Sequence, residues 1–329
     1  MSGPSGLALG LGVFVLSAAG LCAGEKDAAV RLVPLEGRVR IEIDGEMFAE
    51  YIFGRDVHKP YLYPIRLADG TNVTRDHPMK PAAPGERTDH PHHRALWYAH
   101  GAVNGHDFWA ARKTSGRIVF DELLETRSGA AGVLRARHRW EAPDGKLVAT
   151  DEVTVRVEAV PQGRLLDYEI ILHAQPDRPL TFGDTKEGTM AIRLAQWMVM
   201  PHTARGEQVS GAGHVLSSTG KRDAAAWGKR AEWVDYFAPH EDKTYGVAIF
   251  DHPQNPRHPT WWHVRDYGLF AANPFGEHDF EGLEDQPDAG EFVVPPGGSV
   301  TFRYRFYIHE GDTDAAGVAA RYRDYAGGR

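Results

Sequence analysis

A two-residue alternation of apolar and polar side chains, repeated along the chain, constrains the fold more than any other feature. Its cleanest instance is SVTFRYRFYIHEG at 299–311, where Val300, Phe302, Tyr304, Phe306 and Ile308 fall on one face and Arg303 and Arg305 on the other. Successive side chains of a strand point to opposite sides of a sheet, so such a segment buries one face and wets the other. The pattern recurs at 38–45 through Val39, Ile41 and Ile43, ending in an Asp44-Gly45 turn. It recurs at 164–174 through Leu166, Tyr168, Ile170 and Leu172, and at 244–252 through Tyr245, Val247 and Ile249. The stretch 133–160 reads as two strands around Asp144-Gly145, and 116–124 as another strand. Helical spacing is confined to 313–325, with Val318, Tyr322 and Tyr325 behind a cap at Asp312 or Thr313. There is no repeat of about 20–50 residues and no low-complexity block. The expectation is an all-β fold: a large antiparallel β-sandwich spanning 24–329 as one domain, with a short C-terminal helix. Its long polar connections, 68–95 and 251–290, would cover one side and carry the function.

Residues 1–23 differ from the rest. They contain no Asp, Glu, Lys or Arg, and an apolar run at 7–21 is followed by LCAGEK. This predicts a signal peptide over 1–23, cleaved after Ala23 or Gly24. The run is short for a membrane span of ~20 residues, so no stable membrane insertion is expected after cleavage. The mature protein would then be periplasmic or secreted. Cys22 is the only cysteine, so a chain cut after Ala23 has no disulfide, thiol nucleophile or cysteine–metal site. The formal net charge of −8 argues against a nucleic-acid partner.

Histidine is unevenly spread: seven of the 17 lie in 58–106 and five in 240–278, and both regions carry tryptophan. Aromatic rings beside His, Asp and Arg suit a carbohydrate or small polar ligand, because a ring stacks on the apolar face of a sugar while polar groups bond its hydroxyls. The first segment, ERTDHPHHRALWYAHGAVNGHDFW at 86–109, allows three readings. His90, His92 and His93, with Asp89 or Asp107, could hold a divalent metal. A metal-free site could use histidine as acid or base and Arg94 as an anchor. The histidines could also serve only to cap turns. The spacing matches no standard zinc pattern, and Pro91 keeps His90 and His92 out of a smooth helix. No cofactor is expected, with a divalent metal as the alternative. The ligand-contacting set here is His92, Arg94, His100, Asp107 and Trp109.

The second segment, FGDTKEGTMAIRLA at 182–195, places Asp184, Lys186 and Glu187 just before a short strand at 190–194. Glu187 is the best general base, with Lys186 expected to lower the pKa of the neighbouring carboxylates. The third, DHPQNPRHPTWWHVRDYGLFAANPFG at 251–276, offers His258, Trp261, Arg265, Asp266 and Asn273 as ligand contacts. If 260–266 is extended, Trp261, His263 and Arg265 share one face as a ligand surface, whereas Trp262 reads as core.

These segments, with GRDVHKPYLYPIRLADGTNVTRDHP, resemble a bacterial family labelled "PmoA" or "methane oxygenase". A methane monooxygenase subunit is an integral membrane protein, whereas this chain has no second hydrophobic span, so the resemblance implies membership rather than that activity. The order of strands and His-rich loops is also similar to the galactose-mutarotase-like supersandwich. That likeness implies a sugar on a concave sheet, with His93 or His263 as the acid and Glu187 as the base. The expected function is an exported carbohydrate-active hydrolase, lyase or epimerase working by acid–base chemistry. The alternatives are a His-ligated metal-dependent oxygenase or hydrolase, and a sugar-binding protein without catalysis.

Overall fold

A computed structural model describes Met1 and residues 29–204 and 206–328; the expected signal peptide lies outside the described residues. In chain order the first strands are β1 (Val30–Leu35), β2 (Arg38–Ile43), β3 (Glu46–Ile52), β4 (Tyr61–Leu62) and β5 (Leu96–His100). Four long strands follow, β6 (Arg117–Arg127), β7 (Ala131–Glu141), β8 (Leu147–Val160) and β9 (Gly163–Ala174). Then come β10 (Leu180–Phe182), β11 (Gly188–Arg193), β12 (His202–Ala204), β13 (Glu207–Val209), β14 (His214–Ser217), β15 (Trp233–His240) and β16 (Lys243–Asp251). The chain closes with β17 (Trp261–Val264), β18 (Leu269–Asn273), helix α1 (Glu277–Glu281), β19 (Phe292–Val294), β20 (Ser299–Glu310) and helix α2 (Val318–Ala326).

Two eight-stranded sheets face one another, in the orders β1-β2-β3-β4-β5-β11-β18-β17 and β14-β15-β16-β20-β9-β8-β7-β6. The named ladders are antiparallel, as the alternation in the sequence requires. Val39, Ile41 and Ile43 on β2 are buried, as are Phe302, Tyr304, Phe306 and Ile308 on β20. The opposite face of β20 carries ion pairs to β9, Arg303–Glu169 and Arg305–Asp167, both at 2.6 Å. In the core, Tyr98 of β5 lies against Tyr168 of β9 and Phe302 of β20, and edge-on to Trp140 of β7. The fold is therefore the expected large antiparallel β-sandwich with a short C-terminal helix. Among the described residues, no helix is long and apolar enough to cross a membrane.

Two local expectations need correction. The C-terminal helix begins at Val318 rather than near 313. The Asp312 carboxylate accepts from the amides of Asp314 and Ala315, closing a turn, and Gly317 sits in the left-handed region at φ 64, which delays the helix. The connection at 251–290 is not an open loop: it contains β17, β18 and α1. Strands β5, β11, β17 and β18 are buried at every position. The sheet that contains β20 covers one face and the chain's own loops cover the other, so these strands lack the alternation that marks a half-wet strand.

Candidate functional site

The His-rich segment is anchored from below by two buried arginines. Arg75 donates to the carbonyls of His77 (3.0 Å), Asp89 (2.7 Å), His90 (2.8 Å) and His93 (3.3 Å), gathering 77–93 around one guanidinium. Arg193, at the end of β11, donates to Asp89 Oδ1 (3.0 Å) and to His93 Nδ1 (3.2 Å). Asp89 also accepts from Arg75 (3.0 Å) and pairs with Arg87 (2.8 Å). Burial alone would raise the Asp89 carboxyl, but the His90 hydrogen bond and the charges of Arg193, His90 and Arg87 hold it well below the usual range. Asp89 therefore stays ionised and neutralises the arginine cluster.

Above this base lies a cavity of about 340 Å³, lined by His90, His92, His93, Asp107, Trp109 and Glu187, with Gly101, Ala110, Arg112, Thr185 and Tyr267 completing it. Rings build one side. Tyr267 and His90 are parallel with centroids 5.6 Å apart, His90 and His93 at 4.8 Å, and His93 and Trp97 at 5.3 Å. Trp109 meets His93 edge-on at 5.7 Å. Because His93 Nδ1 accepts from Arg193, its proton is assigned to Nε2. His93 Nε2 and Trp109 Nε1 are both buried with no partner. They are two N–H donors left for a ligand to satisfy.

Glu187 lines the same cavity from the turn that precedes β11. Its amide donates to Thr185 Oγ1 (3.2 Å), and its carbonyl accepts from Gly101 (2.7 Å). A Cβ at Gly101 would come within 2.9 Å of the Glu187 Cβ, so glycine is needed for the close approach of these segments. The Glu187 carboxylate has no hydrogen bond or ion pair among the described residues. Burial raises its pKa, and the charges of Lys186 and His90 only partly offset this. This corrects the expectation that Lys186 would dominate: its ammonium turns to Asp279 at 3.3 Å. Burial, then the charges of Lys59, His90, Arg112 and Arg75, takes the pKa of His92 down to about 3. His93 is held well below its ordinary value by burial and by its charged neighbours. Both rings are neutral donors or acceptors rather than cations near neutral pH.

Residues 38–323 match the model of a family described as Family of unknown function (DUF6807). The chain belongs to that family. Among curated proteins none matches it in sequence. Among solved structures it is similar to a galactose mutarotase-like protein from Lactobacillus casei (8% identity, 85% of this chain, 100% of that one, TM-score 0.40). It is also similar to a putative aldose 1-epimerase from Escherichia coli K12 (10%, 85% and 98%, TM-score 0.35). A third similarity is to an alpha-galactosidase from Lactobacillus brevis (9% identity, 88% of this chain, TM-score 0.37), of whose length the chain spans 40%.

In this DUF6807 protein His90, His92, His93, Asp107, Trp109 and Glu187 share the cavity, whereas the other expected residues lie outside its lining. His263 is on the same sheet face as Trp97, in a row that crosses β5, β11, β18 and β17 through Ala191 and Ala271. Three inter-strand spacings of ~4.8 Å separate the two, about 14 Å. Helix α1 covers the surface expected of Trp261 and His263. Phe280 packs edge-on to His263, and Glu281 accepts from Trp261 Nε1 at 2.7 Å. His263 Nδ1 is paired with the Lys186 carbonyl (2.8 Å), and burial lowers its pKa to about 4. Trp262 is core, as expected, donating to the Ala231 carbonyl.

Several remaining residues brace loops. Asp184 accepts from the amides of His278 (2.8 Å) and Gly290 (2.5 Å), and Asn273 donates to the Thr185 carbonyl (2.9 Å). His100 is fully buried and pairs with the Gly183 carbonyl (2.7 Å). His258 pairs with Asp251 (2.8 Å), and the Asp266 carbonyl accepts from the Met200 amide (2.9 Å). Arg94 lies over Tyr61 (5.6 Å) and Arg265 over Tyr267 (5.5 Å). The His90 and His93 rings are parallel within 7° and His93 Nδ1 is engaged by Arg193. Among the described residues no group of three or more His, Cys, Asp or Glu side chains is placed to hold a metal ion.

The sequence reading missed Arg75, Arg193, Lys59, Arg112 and Tyr267. Arg193 was the detectable one, since it ends an otherwise apolar run, MAIR, and an arginine inside a buried strand must have a partner.

Proposed function

We propose that this protein is an exported carbohydrate-active enzyme acting on a sugar or glycoside by acid–base chemistry, with Glu187 as the proton carrier. The observation that carries the reading is a buried carboxylate of raised pKa, with no internal partner, sharing one small cavity with two orphaned ring N–H donors. Perturbed carboxylates in clefts mark acid–base sites because their proton affinity is tuned toward the working pH. Glu187 takes a proton from a substrate hydroxyl or C–H and returns it within the same turnover. The neutral His93 Nε2–H and Trp109 Nε1–H donate to the oxygen on which negative charge develops. His93 is thereby a hydrogen-bond donor rather than an imidazolium acid. At about 340 Å³ the cavity lies at the low end of the ~300–1,000 Å³ range of small-molecule sites, which favours a single sugar unit. Hydrolase, lyase and epimerase chemistry all draw on this set, and the resemblance to proteins labelled PmoA is kept as a likeness, not as an activity.

The test is a panel of neutral and acidic monosaccharides and their glycosides, followed by NMR with the parent protein and with Glu187→Gln. A turnover that falls by about 10²–10⁴ in Glu187→Gln while binding persists supports the reading. No change in any sugar, or equal turnover by the variant, overturns it. Binding without turnover would point instead to a sugar-binding protein. Export is tested by fractionating cells that express the full chain.

A further inference from the structure

The charges around the cavity are mostly positive. Lys186 and His90 act on Glu187 more strongly than the opposing Asp279 and Asp107, and His92 is subject to Lys59, His90, Arg112 and Arg75. Arg75, Arg87 and Arg193 share Asp89, and Lys186 is paired with Asp279. Arg112 is different: it lines the cavity, is exposed, and forms no ion pair with any carboxylate among the described residues. Its backbone is nonetheless held in place. The Arg112 amide donates to the Ala110 carbonyl (2.6 Å) and the Ser115 amide donates to the Arg112 carbonyl (3.0 Å). A fixed arginine at the mouth of a site, with spare charge, matches an anion's acceptor oxygens.

Resting on the acid–base reading of this site, we propose that the substrate is an anionic sugar bearing a carboxylate, a uronic acid or its glycoside. The carboxylate lies at the His92–Arg112 end and the reacting carbon near Glu187. The planar guanidinium can give a carboxylate two parallel N–H bonds, which a neutral hydroxymethyl group cannot use. His93 Nε2 and Trp109 Nε1 keep the role given them above, donating to the oxygen on which negative charge develops.

Calorimetry on the full chain compares D-glucuronate with D-glucose, D-galacturonate with D-galactose, and glucose 6-sulfate as a non-planar anion. The expected result is an acid at least about tenfold tighter than its neutral partner, the size of one charge-assisted bond. That advantage should shrink as salt is raised. In Arg112→Gln, whose folding is checked by circular dichroism, the acid-to-neutral ratio should fall toward one. Neutral sugars binding as tightly as acids, the sulfate exceeding both acids, or a ratio unchanged in Arg112→Gln would overturn the proposal. If neutral sugars are turned over and lost with Glu187→Gln, the acid–base reading stands and only the anionic substrate falls. If no sugar is bound or changed, both fall together.

Discussion

Replacing Lys59 by methionine should reverse the sign of its effect on stability between neutral and alkaline pH. The Lys59 side chain is 2% exposed, and its Nζ donates to the Trp109 carbonyl at 2.5 Å. Its pKa is lowered from 10.5 to about 7, chiefly by burial and further by Arg94, with Asp107 opposing. Between those values the folded chain binds fewer protons here than the unfolded chain, so stability rises with pH. The cost of burying the ammonium is fully present below about pH 7 and is lost as pH rises through 10.5. At 1.36 kcal/mol for each tenfold change in proton affinity, the displacement from 10.5 to about 7 sets a ceiling of about 5 kcal/mol. Methionine removes that cost but leaves the Trp109 carbonyl without its donor, which costs about 1–3 kcal/mol. Lys59→Met should therefore be more stable than the parent near pH 6, by at most about 2–4 kcal/mol, and less stable by about 1–3 kcal/mol near pH 10.5. Urea unfolding followed by tryptophan fluorescence, run on both proteins across this range, measures the difference and cancels the titration of groups they share. A difference that stays constant with pH would refute the reasoning.

Gly101→Ala should destabilise by about 1–3 kcal/mol through overpacking, because the new Cβ would meet the Glu187 Cβ at 2.9 Å and its carbonyl oxygen at 3.1 Å; urea midpoints check this, and turnover should fall further than stability. In the core, Asp151 accepts from Trp140 Nε1 and pairs with His138 Nδ1, each at 2.6 Å, while His138 Nε2 bonds the Tyr51 hydroxyl at 3.0 Å. Asp151→Ala leaves two buried donors unpaired and should cost about 2–5 kcal/mol, read from thermal melts. The acidic limb of kcat/KM should rise through a pKa above the ordinary 4.5, since Glu187 must be ionised to accept a proton and burial raises its pKa. A limb at or below 4.5, or one that persists in Glu187→Gln, would show that another group titrates.

Much of the fold was legible because half-buried strands advertise themselves. On β2, β9 and β20 one face meets the core and the other meets water, so Ile41, Leu166 and Phe302 alternate with Arg40, Asp167 and Arg303. Strands covered on both faces carry no such mark, which is why the 251–290 stretch read as a polar connection although β17 and β18 lie within it. The clustering of His92, His93, Asp107, Trp109 and Glu187 was legible in part, since each sits in a segment rich in polar and aromatic residues. Their convergence was not, because β5 and β11 are neighbours only through sheet pairing across nearly a hundred residues.

Sequence alone determined the class of the fold and marked the His- and Trp-rich segments that line the cavity, because periodicity and residue type are local properties. Tertiary structure decided which histidine faces the cavity. His93 and His263 have similar surroundings in sequence, yet Arg193 holds one ring beside the cavity while Phe280 and the Lys186 carbonyl seal the other. It also decided the proton affinities. A lysine next to Glu187 in the chain predicts a lowered carboxyl pKa, but burial outweighs that charge once Lys186 turns to Asp279. Burial and the direction of a side chain are set by everything packed around it, and neither is written in the residues beside it.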